Sequence, residues 1–252
     1  MRKLNYEKLT SDIQNWIKNY VASAGAKGIV LGLSGGIDSS VIAALSVNAI
    51  GAENVLGLGL PCESIPQDLE DARAIATHLG ITLIISDLTS VYKEFLKVLQ
   101  TQIKSNKIAQ ANIKPRLRKT MLYYIGQSLG NYLVAGTGNR TEIAIGYFTK
   151  YGDGGVDFEP IGALYKAEVR EIARVLGIPD KIINKPPSAG LWEGQTDEDE
   201  IGLTYDLLDE ILYRIDHNLG FEDLNEKDVK KVINMMKSAE HKTNMAPMFK
   251  IK

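Results

Sequence analysis

The apolar run Gly28-Ile29-Val30-Leu31 is followed at once by Gly32-Leu33-Ser34-Gly35-Gly36-Ile37-Asp38-Ser39-Ser40, and then by an Ala- and Val-rich segment. That order holds the chain to a strand, a tight turn and the start of a helix. Gly35 and Gly36 open backbone conformations closed to other residues, so successive N–H groups can converge on an anion at the positive end of the helix. A phosphate or pyrophosphate suits such a turn. Ser34 and Ser39 can add hydroxyl donors. Asp38 sets a carboxylate beside the same anion, which is sensible only with a cation between them, so the residues point to Mg²⁺ and a nucleotide. The spacing is not that of Gly-x-x-x-x-Gly-Lys-Ser/Thr, because the lysine is absent. A plain Gly-rich turn with a serine cap stays open from spacing alone.

The rest of the chain repeats the same alternation. An amphipathic helix over 7–24 puts Ile13, Trp16, Ile17, Tyr20 and Val21 on one stripe ahead of the first strand at 28–33. A helix from about Ile37 to Ala49 follows, then a strand from Asn54 to Leu60. Ser64 with Pro66 and Gln67 reads as a capped start for a helix to Leu79, Ile81–Ile85 as a third strand, and Val91–Ile103 as a helix with Tyr92, Phe95, Leu96 and Leu99 on one face. Asn106–Lys114 reads as irregular, with a helix entered at Pro115. Tyr132 to Asn139 reads as another strand ending in small and polar residues. The Gly-rich stretch 146–160 reads as an ordered or closing loop, Leu164–Leu176 as a helix, 186–195 as irregular, and Thr196 as the cap of a helix carrying Ile201, Leu207, Leu208 and Ile211. A last helix covers about Glu226 to Ser238. Alternating strands and helices predict one α/β domain over 1–252, a doubly wound, Rossmann-like parallel sheet with helices on both faces and ligands at the carboxyl ends of its strands.

Composition narrows the function classes. The 252 residues are 44% hydrophobic and 24% charged, as in an ordinary globular protein. No apolar run is long enough to cross a bilayer and the start lacks the apolar core of a signal peptide, so the expected location is the cytoplasm. A net charge of −2 gives no general attraction to nucleic acid. One cysteine, Cys62, excludes an internal disulfide and a Cys-x-x-Cys metal site, and His78, His217 and His241 are scattered.

Ser34-Gly35-Gly36-Ile37-Asp38-Ser39 resembles the pyrophosphate loop of the N-type ATP pyrophosphatases, which cleave ATP to AMP and pyrophosphate. Three further stretches narrow this: Gly136-Thr137-Gly138-Asn139-Arg140-Thr141-Glu142, Phe148 to Asp157 with its Lys150-Tyr151-Gly152-Asp153, and Pro187 to Glu198 with Gly194-Gln195-Thr196-Asp197-Glu198. Together they are similar to the NAD synthetase family. The resemblance implies an adenine nucleotide alpha hydrolase-like fold and an ammonia-dependent reaction. ATP adenylates the nicotinate carboxylate of deamido-NAD, pyrophosphate leaves, and ammonia displaces AMP.

Carried over by position, Gly32, Leu33, Ser34, Gly35, Gly36, Ile37, Asp38 and Ser39 would hold ATP, with Thr137, Lys166 and Ser188. Asp38 and Glu142 would bind Mg²⁺, which neutralises the charge that builds on pyrophosphate. Arg116, Lys150, Asp157, His241 and Lys242 would hold deamido-NAD. Asp153 would take the proton that ammonium must lose before attack, and Lys166 would balance charge at phosphorus. Arg116 and Arg118 point to different sides of their helix, so only one of them suits this site, and the resemblance favours Arg116. The sequence departs from the family at two neighbours, having Pro115 where Ala and Lys119 where Met are usual.

The resemblance also implies a homodimer with substrate near the subunit interface. Cys62 has no histidine near it in sequence and a glutaminase domain needs far more chain, so free ammonia is the expected nitrogen source, with a separate glutaminase subunit left open. Two rivals remain. A tRNA-modifying ATP pyrophosphatase needs a basic surface, and the thiolating kind paired cysteines, neither of which this composition offers. A nucleotide-binding regulatory module would have little use for Asp153.

Overall fold

Four strands, β1 (Gly28–Gly32), β2 (Val55–Gly59), β3 (Thr82–Ile85) and β4 (Tyr132–Val134), make one parallel sheet in the order β3-β2-β1-β4. The computed structural model describes residues 2–99, 106–190, 192 and 194–251. Register pairs Ile29 with Val55 and with Leu133, and Leu56 with Thr82. The chain steps outward from β1 to β3 and returns to lay β4 against the other side of β1. The loops after β1 and β4 therefore emerge side by side where the winding reverses, the place at which open α/β sheets bind ligands.

Each face of the sheet is covered because the strands are apolar on both sides. Ile29 and Leu31 of β1 pack against α2 (Ile37–Ile50) and α3 (Pro66–Leu79), whereas Val30 with Leu56 and Leu58 packs against α4 (Thr89–Leu99) and α6 (Ile113–Ser128) through Tyr92 and Leu122. Helix α2 is apolar all round because α1 (Tyr6–Ser23) and α8 (Lys166–Val175) form a second helical layer over it. In α1 the stripe divides: Ile13, Ile17 and Val21 are buried, while Trp16 lies largely in solvent, stacked on Tyr20. A separate apolar cluster joins α7 (Arg140–Ile145), α11 (Tyr205–Asp216) and α12 (Glu226–Thr243) beyond the β4 edge. Among the described residues no helix is long and apolar enough to cross a membrane.

The doubly wound parallel sheet agrees with the sequence reading, and the differences are local. Ser64 does not cap α3. Its hydroxyl accepts from the Cys62 amide and from the Arg118 guanidinium, and Ile65 holds the cap position without a side-chain bond. Asn106–Lys114 is helical rather than irregular. The Asn106 side chain accepts from the Ala109 amide to start α5 (Lys107–Ala111), and α6 begins at Ile113, two residues before Pro115, whose missing N–H is harmless in a first turn. The expected helix after Thr196 is two. Gly202, in the left-handed conformation, ends α10 (Asp197–Ile201), and Thr204 caps α11. Two short helices went unread: α7, which turns the end of the β4 segment, and α9 (Asp180–Ile183). Helix α12 runs past Ser238 to Thr243. Residues 100–105, the expected end of the Val91–Ile103 helix, lie outside the described residues, as does the Leu99 side chain.

Ile42 is fully buried between the sheet and the outer helices, and Ile84 is largely exposed on the edge strand. Ile42→Ala should lower the unfolding free energy by about 3 kcal/mol in urea titrations, with Ile84→Ala within about 1 kcal/mol of the parent.

Candidate active site

A cleft of about 840 Å³ opens at the carboxyl ends of β1, β2 and β4. The turn after β1 forms its floor. Gly35 has φ +76°, and a Cβ there would lie 2.4 Å from the Asp68 carbonyl oxygen and 2.8 Å from the Asp71 Cβ, so both the left-handed backbone and the approach of α3 require glycine. Ser34 and Ser39 join through their hydroxyls at 3.1 Å, and Ser39 and Ser40 donate to the Gly36 carbonyl. Beneath the turn, Lys185 donates to Asp68 and Asp71, at 2.8 and 2.7 Å, and Lys181 donates to Asp71 at 2.7 Å. Burial alone would raise the Asp71 carboxyl, but the two lysines and Gln67 outweigh it and hold it down at about 2.

The wall opposite the turn is built on one lysine. Lys166, the first residue of α8, is 2% exposed, and its Nζ donates to Asp38 Oδ2 at 2.6 Å and to Glu142 Oε1 at 3.0 Å. A cation at a helix N-terminus opposes the helix dipole, so these carboxylates are needed to keep it there. Burial alone would lower the Lys166 pKa, yet Asp38 and Glu142 hold the ammonium above the ordinary lysine range. Burial pushes Glu142 up to about 7, opposed by Lys166 and reinforced by Asp38. Asn139, fully buried, accepts from the Glu142 amide to cap α7 and donates through Nδ2 to Asp38 Oδ1 at 3.0 Å, so one side chain ties the β1 and β4 loops together.

Behind Glu142 runs a chain of shared protons. The Tyr205 hydroxyl faces Glu142 Oε1 at 3.2 Å and Asp197 Oδ2 at 3.0 Å, and the Tyr147 hydroxyl faces Asp197 Oδ1 at 3.1 Å and Glu200 Oε2 at 2.8 Å. Gln195 also donates to Glu200, and the Ala189 amide to Asp197. The Gly194-Gln195-Thr196-Asp197-Glu198 motif thereby anchors the 186–196 loop to the wall. Leu191 and Glu193 of that stretch lie outside the described residues.

The remaining predicted residues fall into two groups and one outlier. Thr137, Asp153, Ser188 and Lys242 line the cleft with the β1 turn, Glu142 and Lys166. Asp153 accepts from the Thr149 amide at 3.2 Å across its loop. Arg116, Lys150 and His241 lie outside the walls, linked in a row. Arg116 donates to the Lys150 carbonyl at 3.2 Å, and Lys150 donates to the His241 carbonyl. Lys242 donates back to the carbonyls of Gly146 and Phe148, at 2.7 and 2.9 Å. Asp157 stands apart on the far side of the loop, accepting from the Val134 amide at 2.7 Å and the Tyr123 hydroxyl at 3.1 Å. Arg118, two residues from Arg116, does turn the other way. It lines the cleft and donates to the Leu60 carbonyl at 2.9 Å.

Several residues of the site were not singled out from sequence: Lys185, Asp197 and Glu159, which line the cleft, and Tyr205 and Asn139, which are buried behind its wall. Asn139 and Asp197 stood inside quoted motifs, whereas nothing local marked Lys185, Tyr205 or Glu159. Glu159 accepts from the Gly138 amide at 3.1 Å and packs so closely that a Cβ on Gly136 would touch its carboxylate.

Asp38 and Glu142 are hard oxygen donors brought together around one ammonium. Among the described residues no group of three or more His, Cys, Asp or Glu side chains is arranged to hold a metal ion. Two carboxylates are the number expected where Mg²⁺ is shared with nucleotide phosphates, and burial with Asp38 raises the Glu142 carboxyl against the pull of Lys166, so the pair has room for more positive charge. The donor set fits a divalent cation.

A parallel doubly wound sheet with a Ser-Gly-Gly-x-Asp-Ser turn at its switch point, facing a lysine-bridged carboxylate pair, has the make-up of a nucleotide-binding α/β enzyme. The sequence profile described as NAD synthase matches residues 9–246. The NH(3)-dependent NAD(+) synthetase of Carboxydothermus hydrogenoformans is 50% identical over 95% of this chain and 96% of its own length. Among solved structures, NMN synthetase from Francisella tularensis superposes with a TM-score of 0.91 at 34% identity, covering 99% and 100% of the two chains. NH3-dependent NAD synthetase from Campylobacter jejuni gives 0.83 at 30%, covering 98% and 100%. This chain belongs to the NAD synthase family.

Gly35→Ala should destabilise the fold by about 1–3 kcal/mol through backbone strain and contact with α3, and should weaken ATP binding in calorimetry. Glu159, pushed by burial from about 4.5 up to about 7, keeps its proton in the folded state over a range where the unfolded chain has lost it. Its contribution to stability is therefore full below pH 4.5 and is lost as pH rises to about 7. Glu159→Gln should flatten that slope, gaining on the order of 1–3 kcal/mol relative to the parent at pH 8 over pH 4.5 in urea denaturation.

Proposed function

We propose that this protein is an ammonia-dependent NAD synthetase. It joins ammonia to the nicotinate carboxylate of deamido-NAD at the expense of ATP, releasing AMP and pyrophosphate. The observation that carries the reading is the meeting of Asp38, Glu142 and Lys166 over the β1 turn, in a cleft that Asp153 also lines.

In this reading the amides and hydroxyls of residues 32–39 cradle the ATP phosphates, with Thr137 and Ser188 on the nucleotide and the Lys166 ammonium against the transferring phosphorus. Asp38 and Glu142 would hold Mg²⁺, which when bound neutralises charge on the departing pyrophosphate. A substrate carboxylate oxygen attacks the α-phosphorus as the bond to the β-phosphate oxygen breaks. Ammonia then attacks the acyl carbon, and the bond to AMP breaks. The incoming nitrogen arrives as ammonium, so a base must take a proton, and Asp153 at the cleft mouth is suited to it. Arg116, Lys150, His241 and Lys242 form one basic strip beside that mouth, suited to the pyrophosphate of a dinucleotide, with Asp157 beyond. The similarity to an NMN synthetase raises a mononucleotide acid as the alternative substrate, which offers the same carboxylate. The higher identity to the Carboxydothermus relative favours the dinucleotide.

A homodimer is part of the reading. Val91, Phe95 and Val98 on α4 and Tyr124 on neighbouring α6 expose apolar side chains in one outer layer. A location in the cytoplasm, where ATP and Mg²⁺ are at hand, completes it.

Purified protein given ATP, Mg²⁺, ammonium and deamido-NAD should form NAD, AMP and pyrophosphate in equal amounts, with the mononucleotide acid turned over more slowly. ADP as product, or no product from a well-folded sample, rejects the assignment. Asp38→Asn should lose adenylation by roughly 10²-fold or more, while Asp153→Asn should still form the adenylate and amidate it slowly, read by rapid-quench separation of the half-reactions. Light scattering should give twice the chain mass.

A further inference from the structure

Lys119 has no part in the chemistry described so far. It lies in the second turn of α6, is 8% exposed, and lines the cleft. Its neighbours on that helix are engaged: Lys114 pairs with Glu63 at 3.1 Å, and Arg118 donates to Leu60 and Ser64. Lys185, another lysine in the cleft wall, is held by Asp68 and Asp71. Among the described residues Lys119 makes neither a hydrogen bond nor an ion pair. Its stem is buried while its ammonium, with no partner of its own, meets the cleft, and a wall with no use for the charge would place an apolar side chain here. The carboxyl groups that act on it most strongly are those of Asp153 and then Glu159. Asp153 marks the side from which the nitrogen arrives. Glu159, bound to the Gly138 amide next to Thr137, marks the side of the nucleotide.

We infer that Lys119 is a specificity-determining residue whose ammonium binds the carboxylate that is to be activated, between the nucleotide side and the nitrogen side of the cleft. The inference rests on the proposed reaction for the identity of that carboxylate. It has a direct chemical consequence. The acid substrate carries a negative charge at this point and the amide product carries none, so the same ammonium that draws in the acid has little hold on the amide. Burial lowers the lysine's own preference for the charged form, and an anion against Nζ restores it. Lys119 thus favours substrate over product without touching ATP.

Calorimetry with deamido-NAD, NAD and ATP on the parent protein, Lys119→Met and Lys119→Arg tests this. The parent should bind the acid dinucleotide roughly tenfold or more tightly than the amide, the scale of one charged hydrogen bond in a sheltered site. Lys119→Met, similar in volume, should bring the two affinities together by weakening the acid alone, and Lys119→Arg should keep a preference for the acid. ATP affinity should be the same in all three, which also certifies the fold. Equal affinities in the parent, an unchanged ratio in Lys119→Met, a parallel loss for acid and amide, or loss of ATP binding would each overturn the inference. A parallel loss would put the ammonium on a phosphate instead. Discrimination in the parent without turnover would leave Lys119 as assigned and reject the proposed reaction.

Discussion

Lys166 is the charge around which the cleft is assembled. Its Nζ joins Asp38 from the helix after β1 to Glu142 from the helix after β4, and Tyr205 stacks its ring 4.9 Å from the same atom. Elements far apart in sequence are thus fixed at one point, and Asn139 repeats the tie between the two strand-end loops. Two half-buried carboxylates share one ammonium, and the rise of Glu142 shows that Lys166 does not fully satisfy them. Removing charge from water is expensive unless it is paired, so this arrangement keeps a demand for further positive charge at the carboxyl ends of β1 and β4. That demand is in line with the proposed metal-bearing nucleotide.

The β1 turn is held from the opposite side by a second ion cluster. Asp71 is buried against Lys181 and Lys185, which places a lysine of the 186–196 loop's entry directly under Gly35. Gly35 admits α3 so closely that a methyl group has no room. The turn is thus held from both sides, and the preorganisation that the proposed phosphate binding calls for is already built.

How far the sequence carried depended on whether a signal was local. The strand–turn–helix at Ser34–Ser39 was legible from residue types alone, and Asp38 with it, because glycines and hydroxyls at that spacing have few other uses. The parallel sheet followed from alternation. Glu142 and Lys166 needed the resemblance, since a single acid or lysine on a helix looks like any solvated side chain. Tyr205 and Asp197 meet Glu142 only through the break at Gly202, and a sequence pattern of apolar residues hid that break by running on through it. Helix α7 was too short to show a period. Asn106 as a cap was missed because the polar run around it resembled a loop, although capping is one of the things a polar residue does best.

Glu142, Asp197 and Glu200 line the cleft and hydrogen-bond with Tyr147 and Tyr205, and Arg118, Lys119 and Lys242 line it as well. Each of these cations has a different degree of freedom. Arg118 is spent on Leu60 and Ser64, Lys242 on the carbonyls of Gly146 and Phe148, and Lys119 on nothing in the described chain. A charge already committed to backbone carbonyls shapes the cleft, whereas an uncommitted one is free to choose a ligand. If the reaction proceeds as proposed, its product differs from its substrate by one charge at one atom group, and a single free ammonium is the smallest device that can read that difference.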